Sequence, residues 1–298
     1  MLSHHHLSEI DADQEAIADL TRQVKGQRGP VAQIVRSRRD QLVVEVQAER
    51  KFKKSLAEAR KGLVTIIEMA SVSTEPELLL SFDDEQILDL ILRGGLGLAI
   101  DDFIESSDKI RAAVEKSFEA LGLEYDPQML PQLDLIQAQA ASAVFEDVII
   151  PDFKRATRDA LLAISTEVPT SIVKSDLNIR LEQSEGRQLT EVKTKISQFG
   201  RTVTAKMADE LGLTNYLYTG PRDGLTRRFC KPLINKVVDD KQMRKLNNNQ
   251  GLAVKTSCGG YNCRHSWSPV TESFIEAAEL TLATGSDINA ANSGAKRR

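Results

Sequence analysis

The sequence predicts a mainly α-helical protein. It reads as an elongated helical N-terminal region over 1–214, a small α+β Cys/His-containing knuckle over 215–270, and a last helix with a loose basic tail over 271–298. Three observations carry this reading. Aromatic residues make up only 5% of the chain and charged residues 28%, with Ala, Leu and Gln abundant, which suits helices better than a sandwich or barrel. Apolar residues recur at three- and four-residue intervals through most of residues 10–211. From residue 215 the period shortens to two and turn residues crowd in.

In chain order, Ile10, Ile17, Leu20 and Val24 share one helical face, which Gly26-Gln-Arg-Gly-Pro30 interrupts. From Asp40, the positions Leu42, Val46, Phe52, Leu56, Leu63 and Ile67 continue a helix of about eight turns. Its other face carries Arg50, Lys51, Lys53, Lys54, Arg60 and Lys61, preceded by Arg36, Arg38 and Arg39. Glu45, Glu49 and Glu58 interleave with them, so the cluster reads as a salt-bridged exposed face. Ser73-Thr-Glu-Pro76 is both a break and a capping signal, and Asp83-Asp-Glu opens the next helix with acidic residues where the helix dipole favours them. Gly94-Gly-Leu-Gly97 follows no strand and lies between apolar residues, which excludes a phosphate-binding loop and points to close helix packing or a kink. A helix over 108–121 stops at Gly122, and Pro127, Pro131 and Pro151 punctuate another over 133–149 and start one at Pro151.

Leu189, Val192, Ile196, Phe199, Val203, Met207 and Leu211 then form one apolar seam. Packing within the chain is the plain reading of it, and contact with a neighbouring copy the sharper one. Tyr216 and Tyr218 alternate with Leu217 and Thr219 as a strand, and Pro221-Arg-Asp-Gly224 is turn chemistry. A short helix over 231–246, a turn over 247–251, a strand over 252–255 and a tight knuckle at Cys258-Gly-Gly-Tyr-Asn-Cys263 follow. An amphipathic helix over 271–284 leads into the tail.

The longest apolar run, 87–100, contains Asp89, Arg93 and three glycines, too short and interrupted to span a bilayer. The N-terminus lacks a secretory pattern, and three cysteines are an odd count for a disulfide framework, so the chain reads as soluble and reduced. The His4-His5-His6 run carries no expectation. Net charge is −4, unevenly placed: residues 221–298 hold 13 Lys/Arg against 7 Asp/Glu, and residues 1–220 hold 26 against 36. A basic end on an acidic body is compatible with contact to nucleic acid or an acidic partner, or with a solvated basic face.

All three cysteines, the one tryptophan and the one histidine outside 4–6 fall between Gly220 and Trp267. Cys230, Cys258, Cys263 and His265 are one complete tetrahedral donor set for Zn²⁺, and a full set of four makes a structural rather than catalytic site. The spacing, C-x27-C-x4-C-x-H, lacks the paired knuckles of standard zinc fingers. A Cys–His nucleophile pair is the enzymatic alternative, but no orienting third residue or oxyanion hole accompanies it. Inert burial of the thiols as small hydrophobes is the third reading. Arg222, Arg227, Arg228 and Arg264 surround the cluster as candidate contacts to nucleic acid or a partner, or as internal partners of Asp223, Asp239 and Asp240.

Asp223, Thr226, Arg227, Cys230 and Leu233, followed by Asn262-Cys-Arg-His265, an aromatic residue and Pro269-Val270, form an ordered pattern. It resembles the C-terminal signature of tailed-bacteriophage head-morphogenesis proteins, the minor head protein family. The resemblance covers about 50 residues. Within it, Ser257-Cys-Gly-Gly-Tyr261 replaces a Pro-Pro-x-His, and Cys-Arg-His replaces a Cys-Arg-Cys ending. It implies a low-copy virion protein without enzymatic activity, at the portal or inner capsid, acting in head assembly and DNA packaging or ejection. Its implied partners are the portal, the major capsid protein, packaged DNA and further copies of itself, with no membrane. Its implied locations are the phage head and, during assembly, the host cytoplasm. A zinc-containing, nucleic-acid-binding regulatory protein is the alternative.

Overall fold

The apolar seams become helices because each needs a continuous stripe buried along its length. The structure, a computed structural model, describes residues 4–27, 29–73, 76–124 and 126–296. The side chains of histidines 4–6, residues 74 and 75 of the capping signal, and Arg297 and Arg298 of the basic tail lie outside the described residues. The helices are α1 (His4–Gly26), α2 (Gly29–Ser73), α3 (Pro76–Leu79), α4 (Asp84–Ile91), α5 (Gly97–Glu119), α6 (Leu130–Val144), α7 (Ile150–Ser165) and α8 (Thr170–Glu210). The C-terminal part adds β1 (Asn215–Thr219), β2 (Lys236–Asp239), α9 (Asp240–Met243), α10 (Val254–Ser257), β3 (Ser266–Val270), α11 (Glu272–Ala277), β4 (Thr281–Leu282) and α12 (Gly285–Lys296). The fold is therefore mainly α with a small α+β C-terminal region. Among the described residues no helix is long and apolar enough to cross a membrane.

Two compact units divide the chain, one made of residues 1–46, 107–136 and 196–298, the other of 47–106 and 137–195. Both units draw on the segment 1–214, because the long helices α2 and α8 each supply residues to either one.

In the second unit Phe145 is met edge-on by Phe52 and Phe103, with ring centroids 5.9 and 5.8 Å away. Asp83 caps α4 through a reciprocal box with Gln86. The glycine run gives both of the expected features. Gly95 adopts φ 110° inside a π-helical turn over Leu92–Leu96, and a Cβ on Gly62 would lie 2.1 Å from the Gly94 carbonyl oxygen. On the basic face of α2, Lys51 pairs with Asp102 at 2.7 Å and Arg60 with Glu185 at 2.9 Å on other helices, and Lys61 pairs with Glu58 at 2.9 Å within α2. A second π-turn, Phe145–Ile149, leads directly into α7, which carries Pro151 in its first turn as expected.

In the first unit the sheet order is β3-β1-β2-β4, with β1 antiparallel to β2 and β3 and with β4 parallel to β2. Leu217, Val237 and Val270 pack with Ile34 of α2 on one face. The seam of α8 is buried within the chain from Leu189 to Met207.

Several local expectations are corrected. Residues 231–246 are a turn, β2 and α9, because Asn235 at φ 61° swings Val237 and Val238 onto β1. The expected strand at 252–255 gives way to the helical turn α10, whose Val254 carbonyl accepts the Trp267 indole N–H at 3.0 Å. The expected helix over 271–284 ends at Ala277, Glu279 turns at φ 49°, and 281–282 join the sheet. The loose tail is instead α12, opened by reciprocal hydrogen bonds between Thr284 and Asp287. Gly294 lets α12 lie on the Arg228 backbone, where a Cβ would approach to 2.6 Å.

Two glycine substitutions should move stability in opposite directions. Gly62→Ala forces α2 away from the Gly94 carbonyl and should cost at least about 2 kcal/mol. Gly186→Ala, mid-helix with nothing within 4 Å of the new Cβ, should gain about 0.5–1 kcal/mol. Urea midpoints measure both, and equal shifts of one sign would refute this account of the packing.

Candidate metal centre

The rare residues of the C-terminal region converge in its interior. Cys230 lies in the turn between β1 and β2, Cys258 ends α10, and Cys263 and His265 flank Arg264 just before β3. Cys230 and Cys258 are 0% exposed, His265 2% and Cys263 4%. The Cys230 and Cys263 sulfurs are 3.8 Å apart, and Cys263 Sγ is 3.8 Å from His265 Nδ1. One donor atom from each of Cys230, Cys263 and His265 lies within 4.8 Å of the others, so the cluster has the donors and spacing to hold a metal ion. Cys258, the fourth donor of the expected set, is equally buried but falls outside this three-donor group.

The local backbone is bent to make this possible. Cys258, Gly260 and Asn262 stand at φ 49°, 100° and 54°, the left-handed region that side chains other than Asn and Gly rarely adopt. A Cβ on Gly259 would come within 2.8 Å of Cys230 Sγ, and one on Gly220 within 2.3 Å of the His265 ring. Gly259 donates its N–H to Cys263 Sγ at 3.3 Å, and Tyr218 donates its hydroxyl to Cys230 Sγ at 3.3 Å. Tyr218 also stacks on His265, centroids 5.2 Å apart and planes 9° off parallel, with Trp267 tilted against its ring at 4.2 Å. His265 Nε2 is buried with no hydrogen-bond partner.

The thiols divide into two kinds. Hydrogen bonds from Cys230 and Cys258 hold Cys263 well below the ordinary thiol range, despite burial. The bond to Cys263 and then burial push Cys230 well up, and burial followed by the bond to Cys263 does the same for Cys258.

Behind the knuckle stand α2 and α8. Arg201 donates from Nε to the His265 carbonyl at 3.0 Å and from Nη2 to the Cys263 carbonyl. Arg38 donates to the Arg264 carbonyl at 3.0 Å and grips Glu45 at 2.6 Å, and Ser197 donates to Glu45 at 2.7 Å. Burial pushes the Glu45 carboxyl up, but Arg38, Arg201 and Ser197 outweigh it and hold the group below its ordinary value.

The four candidate contact arginines separate. Arg264 turns inward, paired with Asp223 at 2.6 Å and donating to the Ala12 carbonyl at 2.8 Å. Arg227 donates to the Gly259 carbonyl at 2.6 Å and to the Tyr261 carbonyl, bracing the knuckle. Arg222 and Arg228 remain exposed. Asp239 caps α9, and Asp240 lies 3.7 Å from Lys255.

The sequence reading passed over Arg201, placed Arg38 and Glu45 on a salt-bridged exposed face, and gave Tyr218 only a place in a strand. A signal was present: Thr194, Ser197, Arg201, Thr204 and Ala208 repeat at helical spacing beside the apolar seam, and all are buried. A polar stripe adjoining an apolar one marks a helix buried on two faces.

No protein-family model, curated protein or solved structure matches the chain.

The Asp223–Arg264 pair makes a pH prediction. Burial pushes the Asp223 carboxyl up, but Arg264, Thr226 and the Leu225 N–H hold it below its ordinary value. A lowered folded-state value stabilises fully above the unfolded aspartate value, near about pH 4, and the stabilisation fades as pH falls through the folded value. Asp223→Asn should lose on the order of 3 kcal/mol at neutral pH, with the gap in urea midpoint closing below about pH 4. A gap that stays constant in acid would refute the pairing.

Proposed function

We propose that the chain is a structural protein of a tailed-bacteriophage head, a minor, portal-proximal component without enzymatic activity. In this reading it acts in head assembly and in DNA packaging or ejection, through the portal or major capsid protein and further copies of itself. Its Cys/His cluster holds Zn²⁺ as a structural pin.

The observation that carries the reading is that the residues of the resemblance are joined to one another. Asp223 accepts from Thr226 and pairs with Arg264, Arg227 binds the Gly259 carbonyl, and Cys230 meets Cys263 beside His265. A signature whose members bond among themselves is what a stable module requires. Catalysis instead needs an approach for substrate, and donors exposed by 4% or less offer little.

Zinc is supported by the donor types and by distance. Two sulfurs each about 2.3 Å from a tetrahedral ion lie about 3.8 Å apart, the separation of Cys230 and Cys263. The seat that Gly259 keeps open beside both sulfurs fits the same reading. Bound there, the ion would join the turn after β1 and the approach to β3 without supplying chemistry.

The test is the composition of the particle. Heads purified by density gradient from the phage or prophage that encodes the chain should contain it at low copy, with zinc in equal amount. Particles of full composition from which it is missing would end the reading.

The alternative, a nucleic-acid-binding regulator, is favoured by one feature. Arg222 and Lys231 line an open concavity of about 500 Å³, and Lys231 with Arg228 lines an adjoining one of about 460 Å³ against α12. No side chain of the three has a carboxylate partner among the described residues, whereas the nearby Lys236 pairs with Asp287 at 2.6 Å. These three cations set the scale of what the groove alone contributes. Contact with three phosphates gives a log–log salt slope of about −2.7, against the far steeper slopes of proteins that make about 6–10 phosphate contacts. The groove therefore suits an accessory DNA contact of a head protein better than a free-standing regulator. Binding to a random-sequence duplex, followed by fluorescence anisotropy across a salt series, should show that shallow slope. Arg228→Gln with Lys231→Gln should reduce it by about 1.8. A slope near −6 or steeper would favour the regulator.

A further inference from the structure

The second unit gathers exposed apolar side chains at one end. There α2 runs antiparallel to α8, and their ends meet where Glu68 pairs with Lys174 at 2.6 Å and Thr170 donates to Ser71 at 3.3 Å. The turn from α7 into α8, residues 166–169, lies at the same end, and α3 packs on α7. Val72, Leu78, Leu80, Leu162 and Ile172 lie on these segments and are 85%, 54%, 59%, 53% and 56% exposed. Single exposed apolar residues are ordinary on a protein surface, but five on adjoining helix ends mark a contact surface.

The same end is acidic. Residues 62–92 contain seven Asp/Glu and no Lys/Arg. Cations that reach them from α7 and α8 are already paired, Lys154 and Arg158 with Asp84 and Lys174 with Glu68. Glu85 and Glu167 are exposed and take no cation among the described residues. An apolar surface with an acidic rim fits a basic surface with an apolar floor, and it repels a second copy of itself.

The chain carries that complement. Residues 221–298 hold 13 Lys/Arg against 7 Asp/Glu. In the first unit, Arg222, Arg228 and Lys231 are exposed around the adjoining concavities of about 500 and 460 Å³. Pro232 and Ile234 supply an apolar floor to the larger, Pro232 and Ala290 to the smaller. Aliphatic side chains seated in a concavity, with carboxylates meeting cations at its rim, make an interface of anchor and charge together. Each surface repels its own kind, so the contact between copies is heterologous, one surface of one copy on the other surface of the next.

We propose that the acidic apolar end formed by α2, α3, α7 and α8 of one copy docks on the basic concavities beside α12 of a second copy. Every copy keeps one unfilled surface, so the contact extends to a row of copies or closes into a ring where the rotation allows. The inference deepens the self-association in the proposed function and names its two surfaces. Duplex DNA and a second copy then compete for the same cations.

Sedimentation velocity over a concentration series tests it. The native chain should pass from monomer to dimer and beyond as concentration rises, and added salt should return it toward monomer. Val72→Ser with Leu80→Ser, on the acidic end, and Arg228→Glu with Lys231→Glu, on the concavities, should each weaken self-association by at least about tenfold. Mixed together, the two double variants should form a dimer and nothing larger, because each retains the surface that the other lacks. All four positions are exposed, and far-UV circular dichroism verifies that both variants are folded. Where either is unfolded, Leu80→Ala or Lys231→Gln is read in its place.

A native chain that stays monomeric throughout would overturn the docking, and if it then binds random-sequence duplex, DNA is the occupant of the concavities. Association that stops at the dimer, survives either pair of substitutions or is not restored by mixing would overturn the heterologous pairing. Heads without the chain would end the head reading and leave this contact in place. A chain that is present in heads but monomeric in solution would do the reverse.

Discussion

Three successive carbonyls, those of Cys263, Arg264 and His265, leave the knuckle just ahead of β3, and two buried guanidinium groups receive them. A buried backbone carbonyl without a donor costs free energy comparable to a lost hydrogen bond. The strand ladder cannot supply the donors here, because β3 pairs with β1 only from Ser266 onward. The donors therefore come from α2 and α8, and with them comes the relation between the helices and the small sheet. Gln198 of α8 adds a third tie, donating to Ser257 at 2.9 Å at the end of α10. A segment that carries two of the donor residues is thus held by groups far from it in sequence. That is why Cys263 and His265, only two positions apart, can face one point without a regular strand to align them.

The same constraint explains the small residues around the centre. With Arg201 and Arg38 fixing one side of the knuckle, the other side must accept Tyr218 and the sulfurs at contact distance. Gly220 and Gly259 stand where any side chain would enter the His265 ring or the Cys230 sulfur. Tyr218 lies against both His265 and Trp267 and donates to Cys230, so its ring and its hydroxyl are each engaged. Burial pushes the Tyr218 phenol well above its ordinary value, as do the neighbouring thiols. It stays a neutral donor to sulfur.

Helical periodicity made the helical fold legible, and the rarity of Cys, His and Trp marked where the centre lies. Capping at Asp83 and the glycine run at 94–97 could also be read, because each depends on a few adjacent residues. The failures share one cause. The segments 231–246, 252–255 and 271–284 have their state set by partners elsewhere: β1 for Val237, Trp267 for the Val254 carbonyl, β2 for Leu282. Arg38 looked like the rest of a basic face because its partners, Glu45 and the Arg264 carbonyl, lie seven and 226 positions away. Charge patterning reads helix neighbours at i+3 and i+4, and a guanidinium that reaches across the fold leaves no such trace.

This bears on what a short signature can report about function. Of the residues that carry the resemblance, Asp223, Thr226, Arg227, Cys230, Cys263, Arg264 and His265 bond to the knuckle's own backbone or to one another. Such residues would be needed in any protein that uses the module, whatever the module is attached to. The exposed cations Arg228 and Lys231 and the surface of α12 do not take part in that bonding, and there the chain is free to differ from others with the same knuckle. The signature therefore speaks for the construction of the platform, and the choice of partner belongs to the surfaces that surround it.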